Sequence, residues 1–369
     1  MTRLLLAACL AVAPAALAHT GPGTHHHDAP PSRAITERVV VGQGLHQFVT
    51  VPGWAKVPKG EHFGPTHGSA AVDRDGHIYI TLNSANQDGF GILVYDKEGN
   101  VVKQIAKGEH GLHSLVYVEE DGKGFLYGAQ NGQADKKGAV KLTLDGEVVM
   151  RLGKPEQSPA GGFNPTGVAV GPDGDIYLAD GYASQFIYQF DKDGNFIRQF
   201  GGRGKEGGKF NTCHGINVDY RGEEPRLLIC DRENRRLQYF TLEGEFIEVS
   251  TTGLRRPCAV VFHGELAAVA ELAGRAVVLD KDNHVISILG DNYNPGQRAN
   301  YRVKPEDWTE GLFNAPHGLA FDNDGNLIIT EWNANGRFAF LQKYDPKAGE
   351  KAAANHPPAP VRPVVAAGE

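Results

Sequence analysis

The sequence predicts an all-β fold: a six-bladed β-propeller whose ring is closed by an N-terminal strand. Three observations predict it. One hairpin pattern recurs six times, five of the copies are followed by a second hairpin, and no part of the repeated region calls for a helix. Four antiparallel strands returning every 44 to 59 residues make a propeller blade.

The six hairpins begin "PTHGSAAVDRDGHIYIT", "GLHSLVYVEEDGKGFLYGA", "NPTGVAVGPDGDIYLAD", "TCHGINVDYRGEEPRLLICD", "RPCAVVFHGELAAVAE" and "APHGLAFDNDGNLIITE". Each starts at an anchor residue: His67, His113, Thr166, His214, Cys258 and His317 in turn. The second hairpins turn at "KEGN", "LDGE", "KDGN", "LEGE" and "KDNH", residue types that supply the positive φ of tight hairpins. Their flanks, such as "IYQFDKDGNFIRQF", carry the β-branched and aromatic residues of strands. Each repeat is therefore four strands, A to D. The sixth copy has three, ending in "FAFLQKYD". The segment 38–51, "RVVVGQGLHQFVTV", is expected to supply its outer strand and close the ring, which removes open sheet edges.

Composition bounds the function. The chain is 41% hydrophobic and 22% charged, and its 47 glycines fall mostly in turns. A net charge of -7 argues against nucleic acid as a partner. Arg3, the apolar run "LLLAACLAVA" and "ALA" at 16–18 read as a leader, so residues 1–18 are expected to be a signal peptide and the protein secreted or periplasmic. No other stretch is long enough to span a membrane. Residues 19–37, rich in His, Gly and Pro, and residues 347–369 are expected to be disordered tails around a propeller at 38–346. Beyond the leader, Cys213, Cys230 and Cys258 are an odd number without the spacing of a disulfide framework. A monomer is expected.

The topology then places the chemistry. Strand A lines the central channel, and its start lies at the same mouth as the end of strand B. His113, His214 and His317 belong to blades two, four and six, which in a six-fold ring stand about 120° apart. Three imidazoles meeting at one axial point, with open positions beyond them, match the ligand set of a catalytic zinc or another divalent transition metal; the alternative is that they only pack or hydrogen-bond in a polar channel. The register of His67 is uncertain, since "HGSAAVDRDG" has one residue more than "HGLAFDNDG". The loops between strands B and C bring Asn83, Asn131, Tyr182, Arg232, Glu271 and Trp332 to the same mouth. Tyr182 is a candidate general base if metal and arginine charge lower its pKa, and Arg232 a candidate carboxylate fork. The alternatives are a tyrosine that caps a loop and an arginine paired with Asp231 or Glu233. The long connection 290–314 carries Tyr293, Arg298, Tyr301, Arg302 and Trp308 and is expected to lie over this mouth. His67, Asn83, Arg298, Arg302 and Trp332 are candidate substrate contacts.

These residues resemble a known family. "FNPTGVAVGPDGDIYLADGYASQFIYQFDKDGNFIRQFGG", "GKFNTCHGINVD" and "LLICDRENRRLQYF" look like the NHL-repeat propeller of peptidylglycine α-amidating lyases, with "DGY", "CHG", "DREN" and "PHG" in that family's order. The resemblance covers roughly residues 38–345. It implies a zinc ion on His113, His214 and His317, a catalytic tyrosine at Tyr182 and an active-site arginine at Arg232. It implies cleavage of a peptidyl-α-hydroxyglycine to a peptide amide and glyoxylate, on a small-molecule or peptide substrate. The chain departs from the family in three places. Leu82 and Asn83 stand where a second arginine belongs, Gly318 replaces the aspartate of a structural calcium site, and Ala183 follows "DGY" where a cysteine is expected. A lactonase-like metal hydrolase and a non-catalytic propeller that binds a ligand or protein remain as alternatives.

Overall fold

A computed structural model describes residues 37–57, 63–86 and 88–344, together with the backbone of 362–363. The expected leader, the His-rich tail up to residue 36 and most of the C-terminal tail lie outside the described residues. The chain is a six-bladed β-propeller. Strand A of the successive blades spans Ala70–Val72, Leu112–Glu120, Gly167–Val170, Cys213–Asp219, Pro257–His263 and Pro316–Phe321. Each of the first five blades is a four-stranded antiparallel sheet in the order A–B–C–D. The helical pieces among the described residues are two single 3-10 turns, Ala134–Lys136 and Pro305–Asp307. None of the described helices is long and apolar enough to cross a membrane.

The turns form for local reasons. In the A–B turn of blade six the Asp322 carboxylate accepts the backbone N–H groups of Asp324 (3.0 Å) and Asn326 (2.8 Å), while Gly325 takes the positive φ the turn requires. Asp191 does the same for Asp193 and Asn195 in the C–D turn of blade three. Alternation along the strands then sends side chains to both faces of every blade. The apolar core is accordingly divided into slabs, one between each pair of neighbouring blades. Blades three and four, for example, bury Ala169, Tyr177, Phe210, Ile229 and Phe240 together. Each fully buried side chain of this size contributes about 1.5–3 kcal/mol, so the ring is held by its joints rather than by a central core.

Closure differs in one respect from the sequence expectation. Residues 38–51 are not one strand but a hairpin of β1 (Val39–Gln43) and β2 (His46–Thr50). The apolar run hides a turn, because Gly42 and Gly44 both hold positive φ. The outer strand of blade six is β2, which pairs antiparallel with strand C of that blade (Phe48 opposite Lys343, Thr50 opposite Leu341). β1 is a fifth strand that reaches across the joint to blade five, where the Gln43 N–H donates to Ser287 Oγ at 2.9 Å. Val39, Val41 and Phe48 fill the slab between blades five and six.

Candidate metal centre

The anchor residues reach the axis through a feature of register. In strand A of blades two, four, five and six the pairing slips at the anchor: Leu112 pairs with Gln130 and Ser114 with Ala129, leaving His113 unpaired. The same slip falls at His214, Cys258 and His317. These are β-bulges, which turn a side chain out of the sheet's alternation. Two residues upstream, Thr212 and Arg256 hold the left-handed backbone that delivers His214 and Cys258. Acids at the ends of strand B secure the incoming loops: Asp180 accepts the N–H of Asn164 (2.6 Å), Asp231 that of Asn211 (2.8 Å), and Glu331 those of Asn314 (2.7 Å) and Ala315 (2.9 Å). Glu271 has this same supporting role, bonded to the Arg255 N–H and paired with Arg275, so it does not face the mouth as a reactive group.

The three channel histidines converge. Their ring centroids form a triangle with sides of 4.6, 4.8 and 4.8 Å. Each Nδ1 lies against a backbone carbonyl of the next blade, at its anchor or the residue after it: His113 on Thr166 (2.6 Å), His214 on Cys258 (2.7 Å), His317 on Gly68 (3.3 Å). A carbonyl only accepts, so each Nδ1 carries the proton and each Nε2 offers a lone pair to the axis. Burial, which disfavours the charged form, holds all three imidazoles well below their usual pKa.

Those lone pairs are short of donors. The Tyr182 hydroxyl sits between two of them, 3.2 Å from His113 Nε2 and 3.1 Å from His214 Nε2. Its single proton serves one at a time. The buried Nε2 of His317 has no partner among the described residues. A cluster of neutral donor atoms with unmatched lone pairs fits a metal cation. Among the described residues, the sets whose ligand atoms all lie within 4.8 Å of one another are His67–His113–His317 and His214–Cys258–His317 at the axis and Asp280–Asp282–His284 in the C–D turn of blade five; His113, His214 and His317 do not occur together in one of them. His317 is common to both axial sets, and the Tyr182 hydroxyl occupies the gap between His113 and His214. Calcium does not fit in the same way. A Cβ at Gly318 would lie 2.6 Å from Ser69 Cα, so there is no room for the carboxylate the resemblance would require.

Tyr182 and Arg232 stand together beside the histidines. Arg232 Nη1 donates to the tyrosine hydroxyl at 3.2 Å, with the guanidinium carbon 5.3 Å from the centre of the ring. Its Nε donates to Glu233 (2.9 Å), which also binds Arg256. The arginine thus has both the partner expected of a structural residue and a second one at the site. The expected fall in the tyrosine pKa is not produced by arginine alone. Burial pushes Tyr182 up to about 12 and outweighs the pull of Arg232. The Cys258 thiol, likewise buried, is pushed up to about 11 against Arg232. Cys213, Cys230 and Cys258 are all free and buried.

His67 is both out of register and at the axis. Counting back from Asp73 and Asp322, the residue of blade one that matches His317 is Gly68, whose carbonyl receives His317 Nδ1. His67 precedes that position, yet its ring lies 4.7 Å from His113 and 4.5 Å from His317. Trp332 (5.9 Å from His67) and Tyr301 (5.0 Å from Trp332) continue an aromatic wall up the mouth, which places the 290–314 connection there. Arg298 is not part of the site: it is bonded to the Asn292 carbonyl and lies 3.9 Å from the Asp291 carboxylate within its own loop. Arg302 is exposed, and its backbone N–H donates to Asn300. Asn83 contributes a backbone contact to Pro65 (3.4 Å), and its side chain makes none of the cluster's hydrogen bonds. The Asn131 side chain is used on the Pro165 carbonyl. On the far side of the histidines, Ser114, Gly167, Asn217 and Leu319 line a channel cavity of about 40 Å³.

Fold and site together define a six-bladed propeller with histidine groups at its axis that could hold a metal ion. Among proteins of that description the chain resembles the amidating lyases. A family model described as a 6-bladed beta-propeller matches residues 171–267. Peptidyl-alpha-hydroxyglycine alpha-amidating lyase 1 of Drosophila melanogaster is 24% identical, the match covering 89% of this chain and 72% of that one. Peptidyl-glycine alpha-amidating monooxygenase B of Xenopus laevis is 26% identical over 68% of this chain, and the match spans only 28% of that longer protein. Among solved structures, a streptogramin B lyase superposes with a TM-score of 0.51 at 14% identity, over 82% of this chain and 97% of that one; it shows the fold alone.

Proposed function

We propose that the protein is a metal-dependent lyase that cleaves the N–C bond of an α-hydroxyglycine-type carbinolamide to an amide and glyoxylate. The observation that carries this reading is the Tyr182 hydroxyl, held between His113 Nε2, His214 Nε2 and Arg232 Nη1. The relatives' names supply the substrate class. His113, His214 and His317 would hold the metal, zinc or another divalent ion that accepts imidazole. When bound, the ion supplies positive charge that favours the ionised forms of nearby oxygens.

The remaining work falls to residues of the chain. The carbinol O–H proton passes to the Tyr182 oxygen in its ionised form, whose charge Arg232 stabilises. The C–O bond becomes a carbonyl as the C–N bond breaks. Tyr182 then returns the proton to the departing amide nitrogen, so atoms and charge balance without an added water. Arg232 also offers its planar fork to the glyoxylate carboxylate. The rings of His67, Trp332 and Tyr301 give one side of the mouth an aromatic face for the substrate. The A-x-A leader would send the protein to the periplasm or outside the cell.

The test is release of glyoxylate from α-hydroxyhippurate by the purified protein, with His214→Ala alongside. Stoichiometric glyoxylate and benzamide, lost in the variant, are expected. Turnover unchanged in His214→Ala overturns the reading, as does hydrolysis to benzoate in place of benzamide.

A further inference from the structure

We infer that His67 is a fourth imidazole ligand of the axial metal centre, entering from blade one above the three channel histidines. The inference rests on the metal-binding part of the proposed function. Of the two axial ligand sets with all atoms within 4.8 Å, the one built entirely of histidines contains His67, His113 and His317. It is also the set without His214, which the Tyr182 hydroxyl separates from His113. His67 therefore adds an imidazole on the side of the centre that the Tyr182 hydroxyl does not fill.

The position of His67 is built, not incidental. Thr66 and Asn333 exchange backbone hydrogen bonds (2.9 and 3.1 Å), and Thr66 Oγ1 donates to the Glu331 carbonyl at 2.5 Å. On the other side, the Gly68 carbonyl accepts from Thr330 Oγ1 at 2.9 Å and faces His317 Nδ1. Both neighbours of His67 are thus bonded to blade six, which fixes the direction in which its side chain leaves the backbone. The imidazole itself makes no hydrogen bond among the described residues. Its neighbours are the rings of His113, His317 and Trp332. An imidazole with two unused nitrogens at this distance from two other histidines has the chemistry of a ligand. His67 is half-buried where His113, His214 and His317 are buried.

The experiment uses the full chain with His25, His26 and His27 replaced by alanine, so that the tail does not compete for metal. Co(II) is titrated into this protein and into its His67→Ala and His67→Phe forms, following the Co(II) absorption spectrum and the affinity by competition with a chelator. His67→Phe retains a ring against Trp332 and guards against misfolding of the alanine form. The expected result is a changed ligand-field spectrum and an affinity lower by about tenfold or more in both variants. An identical spectrum and affinity in His67→Phe overturns the inference and leaves the three-histidine site standing. Failure of the parent protein to bind one Co(II) overturns the metal reading itself, and this inference with it.

Discussion

Replacing Tyr182 by phenylalanine separates the chemistry of the site from its architecture. The change removes one oxygen and leaves the ring. That oxygen touches His113 Nε2, His214 Nε2 and Arg232 Nη1 at 3.1–3.2 Å. Arg232 keeps its bond to Glu233 at 2.9 Å, so the guanidinium is not stranded. The folding cost is then that of a partly compensated buried polar contact, about 1–2 kcal/mol. Catalysis should lose far more. Without the proton carrier kcat is expected to fall about 10²–10⁴-fold, or about 3–5 kcal/mol of barrier. KM should move only a few-fold, because the carboxylate grip of Arg232 remains. The assay is glyoxylate release from α-hydroxyhippurate, with metal content by elemental analysis and thermal unfolding on the same samples. A variant that keeps its metal and turns over within tenfold of the parent refutes the role given to Tyr182. Loss of metal together with activity would instead make the hydroxyl a holder of the ion.

Three further outcomes test other parts of the structure. Phe48→Ala empties the closing slab between blades five and six and should cost about 3–5 kcal/mol in urea unfolding; a cost under 1 kcal/mol would mean that β2 does not close the ring. Gly318→Asp restores the acid of the resembled family, but its Cβ would meet Ser69 Cα at 2.6 Å and Gly68 O at 2.7 Å. It should therefore destabilise by about 1–3 kcal/mol, unrelieved by calcium, in a thermal melt. Asp219 is buried, which raises its pKa, but hydrogen bonds from Arg221 and Tyr239 outweigh this and hold it below the ordinary value. Its contribution is present above the ordinary carboxylate range and is lost as pH falls toward the depressed folded value. Asp219→Asn should flatten that acid limb and cost about 2 kcal/mol at neutral pH; an unchanged pH profile of stability would remove Asp219 from the account.

Much of this fold could be read from residue types, because a propeller repeats them. The Asp-Gly turns and apolar runs located the blades, and "PHG", "CHG" and "LHS" at matching places put three imidazoles on alternate blades. What escaped was register. Whether His113 pairs or bulges depends on the count of residues facing it across the strand, not on its neighbours in sequence. The one-residue offset of His67 was visible by counting from the Asp-Gly turn, but not the direction of its side chain. "RVVVGQGLHQFVTV" reads as one strand because its turn rests on Gly42 and Gly44 inside an apolar run. Arg298 had the chemistry of a substrate contact, yet the Asn292 carbonyl lies nearer than the mouth does. The pKa of Tyr182 was beyond composition altogether, since burial and Arg232 pull in opposite directions and only the geometry says which prevails.

The same register explains why the site and the ring are one structure. Each channel histidine spends its Nδ1 proton on the carbonyl of the next blade: two onto three, four onto five, six onto one. That bond aims Nε2 at the axis and ties two blades together at the mouth. It needs the neighbouring backbones to approach closely. A Cβ at Gly215 would lie 2.5 Å from the Cys258 carbonyl oxygen, and one at Gly167 would lie 2.5 Å from that of His214. Glycine follows the anchor in blades three, four and six because the joint leaves no space there for a side chain. The joint between blades six and one has the longest of the three bonds, 3.3 Å against 2.6 and 2.7 Å. It is also where Thr66 and Asn333 add a two-way backbone bridge and where His67 leans across. The contacts that tie blade one to blade six at the mouth thus flank the residue that carries an extra imidazole to the axis. The joints between blades and the gathering of imidazoles at the axis draw on the same contacts.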